Sequence, residues 1–197
     1  MKKLFVILFT ILTVVGTIII AKNNNEVPKG WFFRAVDASL YEVGTDNTTS
    51  ESGKACAYVI SHNSTESEFG NLMQAIDAKN YLGKRLQLTA YIKSINVSRV
   101  QMWMRIDGKN PEYQHSLGFD NMGKRPITGT TDWKQYSIVL EVPDNAAAIN
   151  YGFLIVGTGE FWVDNVKITE VNKTVPVTNI AFQYSLPSTP VNLNFEE

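Results

Sequence analysis

The sequence predicts an all-β domain, an antiparallel β-sandwich or jelly roll, preceded by one N-terminal hydrophobic helix. Three observations lead to this prediction. Clusters of turn-forming residues such as "GTDNTTSESG", "SHNSTES" and "DGKNPE" recur along the chain. Apolar and polar residues alternate between these clusters, as they do in half-buried strands. No long amphipathic helical pattern separates the segments, which favours a sandwich over an α/β fold.

The N-terminal segment is distinct from the rest of the chain. Leu4–Ala21 carries no charge, follows "MKK" and precedes "KNNNE". Its length lies between the apolar core of a signal peptide and a minimal membrane-spanning helix. Residues 1–21 are therefore predicted to be a signal peptide or a membrane anchor. Both alternatives place the domain outside the cytoplasm, secreted or anchored to the membrane, because a basic start stays inside.

Residues 22–30 are polar and are predicted to be a linker, and residues 31–171 are predicted to form the β-sandwich. The alternation and the turn residues predict nine strands within it. These are Trp31–Ala35, Lys54–Ser61, Gly70–Asp77, Arg85–Ile95, Arg99–Asp107, Glu112–Phe119, Lys134–Val142, Ala147–Val156 and Glu160–Val171.

Two consecutive strands place aromatic residues among polar neighbours. The segment "RLQLTAYIK" directs its leucines inward, which leaves Tyr91 and Lys93 outward. The segment "RVQMWMRID" directs its methionines inward, which leaves Gln101, Trp103 and Arg105 outward. If "SINVS" joins the two segments as a hairpin, Tyr91 and Trp103 lie side by side on one solvent-facing surface.

Such a surface suits a carbohydrate. An aromatic ring covers the apolar side of a pyranose, while amide, hydroxyl and cationic groups bind its hydroxyl groups. Trp103, Tyr91, Arg105, Gln101 and Lys93 are therefore the candidate ligand-binding residues. The sequence leaves two alternatives open, because an outward tryptophan can also lie under a loop or pack against a second layer.

Composition and motifs exclude several other classes of function. The chain has 18 basic and 19 acidic residues and no basic run, which argues against nucleic acid. Cys56 is the single cysteine, so neither a disulfide framework nor a thiolate zinc site is possible. Asp120 and Asp132 could form a glycosidase pair, but both occupy turn-forming contexts, and no "GxSxG" motif occurs. We therefore expect no enzymatic activity.

The second half of the domain carries more specific motifs. "TTDW", "VPDNAAAINYGF" and "GTGEFWVDNVKI", together with the opening "GW" and "SGKACAYVIS", resemble bacterial carbohydrate-binding-module-like jelly rolls with a galactose-binding-domain-like fold. The resemblance extends from Lys29 to Val171. It implies a non-catalytic module that binds a glycan of the cell envelope or a polysaccharide. The alternative is a protein-interaction or structural accessory domain at the cell surface.

The resemblance also implies a structural calcium ion. In such modules the acidic residue corresponding to Asp164 helps to hold the ion, together with oxygen atoms near the residues corresponding to Gly53 and Lys54. The C-terminal extension, residues 172–197, ends in "NLNFEE", which resembles the opening strand of such a module. If this segment folds back, Glu196 approaches Asp164. It could instead be the remnant of a second domain or dock on a neighbouring molecule.

Overall fold

A computed structural model describes residues 26–62, 65, 67–109, 116–179, 189 and 193. These residues form an antiparallel all-β domain whose helical content is two short 3-10 turns, Ala38–Leu40 and Lys79–Tyr81. The prediction of an all-β fold is confirmed. The nine strands are β1 (Phe32–Ala35), β2 (Tyr41–Asp46), β3 (Cys56–Ser61), β4 (Phe69–Asp77), β5 (Arg85–Gly108), β6 (Gly118–Asp120), β7 (Ile127–Glu141), β8 (Ala146–Val156) and β9 (Gly159–Glu170).

The strands form one nearly closed sheet with the order β1-β4-β8-β5-β9-β3-β2, and β6 and β7 also pair with β5. The long strand β5 contributes to two layers. Its first half pairs with β7 and β9, and its second half pairs with β8 and β6. The first layer thus contains β2, β3, β9 and β7, and the second contains β1, β4, β8 and β6.

The predicted hairpin between residues 85 and 107 is wrong. Residues 85–108 form a single strand of 24 residues, and "SINVS" lies inside it. Register shifts against β7 follow Ile92, Ser94 and Val97, and Asn96 has a φ of 50°. These irregularities bend the strand from one layer into the other without reversing the chain, as β-bulges do.

The predicted inward residues of β5 are confirmed. Leu86, Leu88, Ala90 and Ile92 are fully buried, as are Met102, Met104 and Ile106 from its second half. They belong to one core cluster with residues of β8 such as Phe153, so the two layers pack against each other through their inner faces. Burying each such side chain contributes about 1.5–3 kcal/mol to folding.

A bulge in β9 changes which residues face the core. Strict alternation back from Val166 and Ile168 would turn Trp162 and Asp164 toward the core. Phe161 and Val163 are buried instead, so Trp162 and Asp164 point outward. Asn165 then adopts a φ of 53°, and the register against β5 shifts between Thr89 and Tyr91. The extra residue returns Val166 and Ile168 to the core. Strand β2 was not predicted, because "YEVGTD" contains glycine and two acidic residues.

The predicted N-terminal helix, residues 22–25 of the linker and Glu196 lie outside the described residues. Within the residues described, no helix is long and apolar enough to cross a bilayer. Cys56 is buried, as expected for a small apolar side chain, and its Sγ lies 2.9 Å from the carbonyl oxygen of Thr49. Burial and the nearby carboxylates of Asp46 and Asp164 raise the pKa of the Cys56 thiol to about 12.

Candidate functional site

The outward surface of the second layer, which we call the Trp103 face, carries the candidate site. Strand registers define it. Trp103, Gly152, Met73 and Phe32 form one row across β5, β8, β4 and β1. The adjacent rows contain Gln101, Leu154, Asn71 and Arg34 on one side, and Arg105, Asn150 and Ala75 on the other.

Trp103 lies at the centre of this face and is buried, with 6% of its surface exposed. Its indole Nε1 donates a hydrogen bond of 2.8 Å to Oδ1 of Asn71. Asn71 belongs to β4, and β8 lies between β4 and β5, so the indole crosses β8 to reach its partner. The crossing takes place in the register row of Gly152. The expectation that Trp103 is outward is correct, but its ring is not freely accessible.

Gly152 is required at this crossing. A Cβ atom at this position would lie 2.5 Å from the carbonyl oxygen of Leu72 and 2.8 Å from Cβ of Met73. Real Cβ atoms do not approach other atoms this closely, so strands β4 and β8 can come together here only with glycine.

Polar side chains surround the indole. Asn71, Asn150 and Gln101 are 9%, 9% and 5% exposed, which is unusual for the outward face of a sheet. Gln101 donates to the carbonyl oxygen of Asn121 at 2.8 Å. Asn71 donates to Sδ of Met73 at 3.2 Å. A thioether is a weak acceptor, so this amide N–H can exchange its partner for a ligand hydroxyl at little cost.

A charged network continues the polar surface beside Trp103. Arg105 donates to Asp107 through Nε at 2.7 Å and through Nη2 at 2.9 Å. Asp107 also accepts a hydrogen bond of 2.8 Å from the amide of Asn150. The guanidinium of Arg105 is therefore held in one orientation, while 46% of the side chain remains exposed. A fixed, accessible guanidinium is a good donor to hydroxyl or carboxylate oxygens.

The rim of the face toward β1 and β4 is apolar. Phe32 and Phe69 are 37% and 42% exposed, and Val36, directly after β1, is 73% exposed. Among the described residues, these are three of the six exposed large apolar side chains. Arg34 lies beside them, with its guanidinium carbon 6.0 Å from the Phe32 ring centroid. Exposed apolar side chains that lie along one rim are a feature of protein-binding surfaces.

Tyr91 and Lys93 lie elsewhere, on the outward surface of the first layer, which we call the Tyr91 face. Tyr91 is in register with Gln135 and Asp164, and Lys93 is in register with Trp162. Lys93 Nζ lies 3.8 Å from the Asp132 carboxylate. Trp162 is half-buried and donates to Asp46 Oδ2 at 2.9 Å.

The five predicted ligand-binding residues are therefore divided between two faces. Trp103, Gln101 and Arg105 lie together, whereas Tyr91 lies 12 positions earlier in β5, about 40 Å along an extended strand. Sequence reasoning missed Asn71, Asn150 and Gly152. Asn71 could have been found from its outward position in "FGNLMQAID". Nothing in the sequence indicates that β8 lies beside β5 or that β4 lies beside β8.

Asp164 holds the loop between β2 and β3. Its Oδ2 accepts the backbone N–H groups of Glu51 at 3.0 Å and Ser52 at 2.9 Å, and its Oδ1 accepts that of Asn165. In the part of the chain that the structure describes, no three His, Cys, Asp or Glu residues cluster as metal ligands. Calcium at Asp164, with oxygen atoms around Gly53 and Lys54, stays a prediction.

The two carboxylates of the glycosidase alternative lie in different environments. Asp120 is fully buried and forms an ion pair of 2.6 Å with Arg125. The Asp132 side chain is 88% exposed. Catalysis by an acid–base pair requires two carboxylates that face one cleft, and these environments do not provide it.

No family model matches the sequence. The chain is 42% identical over 171 residues to an uncharacterized HTH-type transcriptional regulator, YbfP, of Bacillus subtilis (strain 168). That match covers 86% of this chain and 57% of the relative, so the chain spans little more than half of the relative's length.

Solved structures share the fold at low sequence identity. A tailspike protein of bacteriophage CBA120 matches 75% of this chain and 20% of its own, with a TM-score of 0.57 and 17% identity. A Stig cyclase from Fischerella matches 77% of this chain and 88% of its own, with a TM-score of 0.56 and 16% identity. A structure of the CBM22-1 and GH10 modules of a Clostridium thermocellum endo-1,4-β-D-xylanase, complexed with xylohexaose, also matches. The match covers 72% of this chain and 26% of that chain, with a TM-score of 0.53 and 16% identity. The chain therefore has the β-jelly-roll fold seen in carbohydrate-binding modules.

Proposed function

We propose that this protein is a non-catalytic, exported β-sandwich that binds a glycan of the cell envelope or a polysaccharide weakly through the Trp103 face. One observation carries the proposal. The outward face of the second layer buries three amide side chains around an indole, next to the fixed Arg105 guanidinium. Outward sheet surfaces seldom bury amides, and sugar hydroxyls pair well with amide and guanidinium groups.

The similarity in fold to modules of a xylanase complexed with xylohexaose supports the same class of ligand. A few net hydrogen bonds near 1 kcal/mol each leave little affinity after the costs of association, so a dissociation constant of roughly 0.1–1 mM follows. Such affinity is useful to a tethered protein, because tethering raises the effective concentration. Residues 1–21 would provide the tether to the membrane.

The test is retention of the full-length protein on a glycan array, with calcium and again with a chelator. We expect retention on one class of polysaccharide and about tenfold weaker retention for Arg105→Ala, because a charge-assisted hydrogen bond is lost. The matched control is Lys167→Ala, since Lys167 is exposed on the opposite layer. Loss of retention with the chelator would support calcium at Asp164.

A protein partner is the second candidate, and the apolar rim of Phe32, Val36 and Phe69 favours it. The two candidates differ in which change matters. A glycan site depends on Arg105, whereas an apolar protein interface depends on Phe32 and Phe69. No retention of folded wild-type protein on any glycan would contradict the carbohydrate proposal and favour the protein partner.

A further inference from the structure

A cavity, which we call the Lys134 pocket, lies between the loop after β6 and the first half of β7. Its volume is about 440 Å³, within the range of small-ligand sites. Its lining comprises Met122, Arg125, Pro126, Ile127, Thr128, Thr131, Lys134 and Tyr136. Two of these eight residues are cationic and none is acidic.

The two cationic side chains of the pocket differ in whether a carboxylate pairs with them. Arg125 forms an ion pair with Asp120, which is fully buried and also accepts the backbone N–H of Met122 at 2.8 Å. Lys134 forms no ion pair with any carboxylate among the described residues. The pocket and its immediate carboxylate therefore carry one net positive charge, which favours an anion.

The pocket also has the features of a sugar site. The ammonium of Lys134 lies 5.7 Å from the centroid of the Tyr136 ring, which is partly buried against the core and lines the pocket, so an aromatic edge stands next to the charge. The hydroxyl of Thr131 lies 3.0 Å from that of Ser94, and it also forms a hydrogen bond with Tyr136. Thr128 adds an exposed hydroxyl group. A ring, hydroxyls and one uncompensated ammonium together match a sugar that carries a carboxylate.

The pocket is continuous with the Trp103 face through one loop. Asn121 accepts the hydrogen bond from Gln101 on the Trp103 face, and the following residue, Met122, lines the pocket. The loop after β6 therefore has Asn121 at the Trp103 face and Met122, Arg125 and Pro126 at the pocket.

We propose that the Lys134 pocket binds the carboxylate of an acidic sugar unit, so that the glycan bound by this protein is an anionic polysaccharide. This inference rests on the proposed function, and it names the class of glycan. Lys134 would pair with the carboxylate, and Thr128 would bind a ring hydroxyl. The pairing is electrostatic, so it weakens as salt screens the charges.

The test is calorimetric titration of the full-length protein with tri-galacturonic acid and with its methyl ester, which has the same sugar units without charge. We expect the acid to bind more tightly than the ester, and the difference to shrink at high salt. Lys134→Met should weaken binding of the acid about fivefold, the size of one partly exposed charge contact, and leave binding of the ester unchanged. Lys79→Met, which removes an exposed lysine from the second 3-10 turn, is the matched control and should change neither.

Two results would overturn the inference. One is equal binding of the acid and the ester by the wild type, with Lys134→Met and Lys79→Met indistinguishable. The other is a loss of ester binding in a folded Lys134→Met protein, which would make the lysine a general contact and not a carboxylate site. In both cases the wild type still binds the ester, and Arg105→Ala still weakens that binding, so the proposed function survives. If neither sugar binds the wild type, the inference fails, and the glycan array decides the proposed function separately.

Discussion

Trp103 and Trp162 occupy comparable positions on the two outward faces, and each indole reaches across one strand to a polar side chain on the next. Trp103 crosses β8 to donate to the amide of Asn71 at 2.8 Å. Trp162 crosses β3 to donate to the carboxylate of Asp46 at 2.9 Å. Trp103 is almost fully buried, while Trp162 is half-buried.

The difference lies in the chemistry of the two partners. A neutral amide holds Trp103 at any pH. A carboxylate holds Trp162, and it must stay ionised to do so fully. Burial alone would raise the pKa of Asp46, but hydrogen bonds from Thr48, Trp162 and Thr49 outweigh burial and lower that pKa below the ordinary 3.8. The anchor of Trp103 is thus independent of pH, and the anchor of Trp162 is not.

The largest expected effect is that of removing the buried indole. Trp103→Ala should lower the free energy of unfolding by about 3–5 kcal/mol, because it leaves a cavity and an amide oxygen without its donor. Trp162→Ala should cost clearly less, since part of that side chain is already exposed. Urea denaturation of both variants measures the difference. Equal losses would mean that the two tryptophans are structurally equivalent.

Replacing Gly152, the register partner of Trp103 on β8, should have the next largest effect. Gly152→Ala should cost about 1–3 kcal/mol, because the new Cβ meets the backbone of β4, which cannot move aside. Gly108→Ala is the matched control in the same layer. Its Cβ would meet the Leu117 side chain no closer than 3.5 Å, an ordinary contact. Thermal denaturation should separate the two variants, and a tolerated Gly152→Ala would disprove the close crossing.

The smallest expected effect is that of Asp46→Asn, which tests whether the partner of Trp162 acts through its charge. Asp46→Asn keeps an acceptor for Trp162 but loses the charge, so it should cost about 1 kcal/mol at pH 7. Because the pKa of Asp46 is lower in the folded than in the unfolded protein, its stabilisation is complete above the unfolded pKa. It disappears as the pH falls through the folded pKa. The gap between wild type and Asp46→Asn should therefore close below about pH 4.

Asn71→Ala is the comparison, because its cost in stability should not depend on pH. It removes a neutral partner of Trp103, so its cost should be the same at pH 7 and pH 3. Urea denaturation at several pH values measures both gaps. A pH-dependent cost at Asn71, or a constant cost at Asp46, would contradict the assignment of one neutral and one charged anchor.

Much of the fold was predictable from the chain. Alternation identified the inward residues of β5 on both sides of its bend, since burial of every second residue leaves a local signature. A strict period of two does not hold along β9, where the bulge at Asn165 exchanges the two faces between Asp164 and Val166. A bulge inserts one residue without any required sequence, so the alternation on one side of the bulge cannot be continued across it.

The candidate site was predictable only in part. Trp103, Gln101 and Arg105 were found because they share the outward face of one strand. Tyr91 and Lys93 were assigned to the same surface because a hairpin was expected where β5 instead bends into the second layer. Asn71, Asn150 and Gly152 belong to other strands, and the pairing of β8 with β5 and of β4 with β8 depends on long-range packing.

By itself the sequence determined the all-β class, the buried side of each regular strand and the position of the central indole, because these depend on local alternation and on the cost of exposing apolar surface. Tertiary structure alone decided that β5 serves both layers and that Trp103 reaches Asn71 across Gly152. It also separated Tyr91 from Trp103. The reason is that strand order and bulges are set by the packing of the whole sheet, which no local pattern contains.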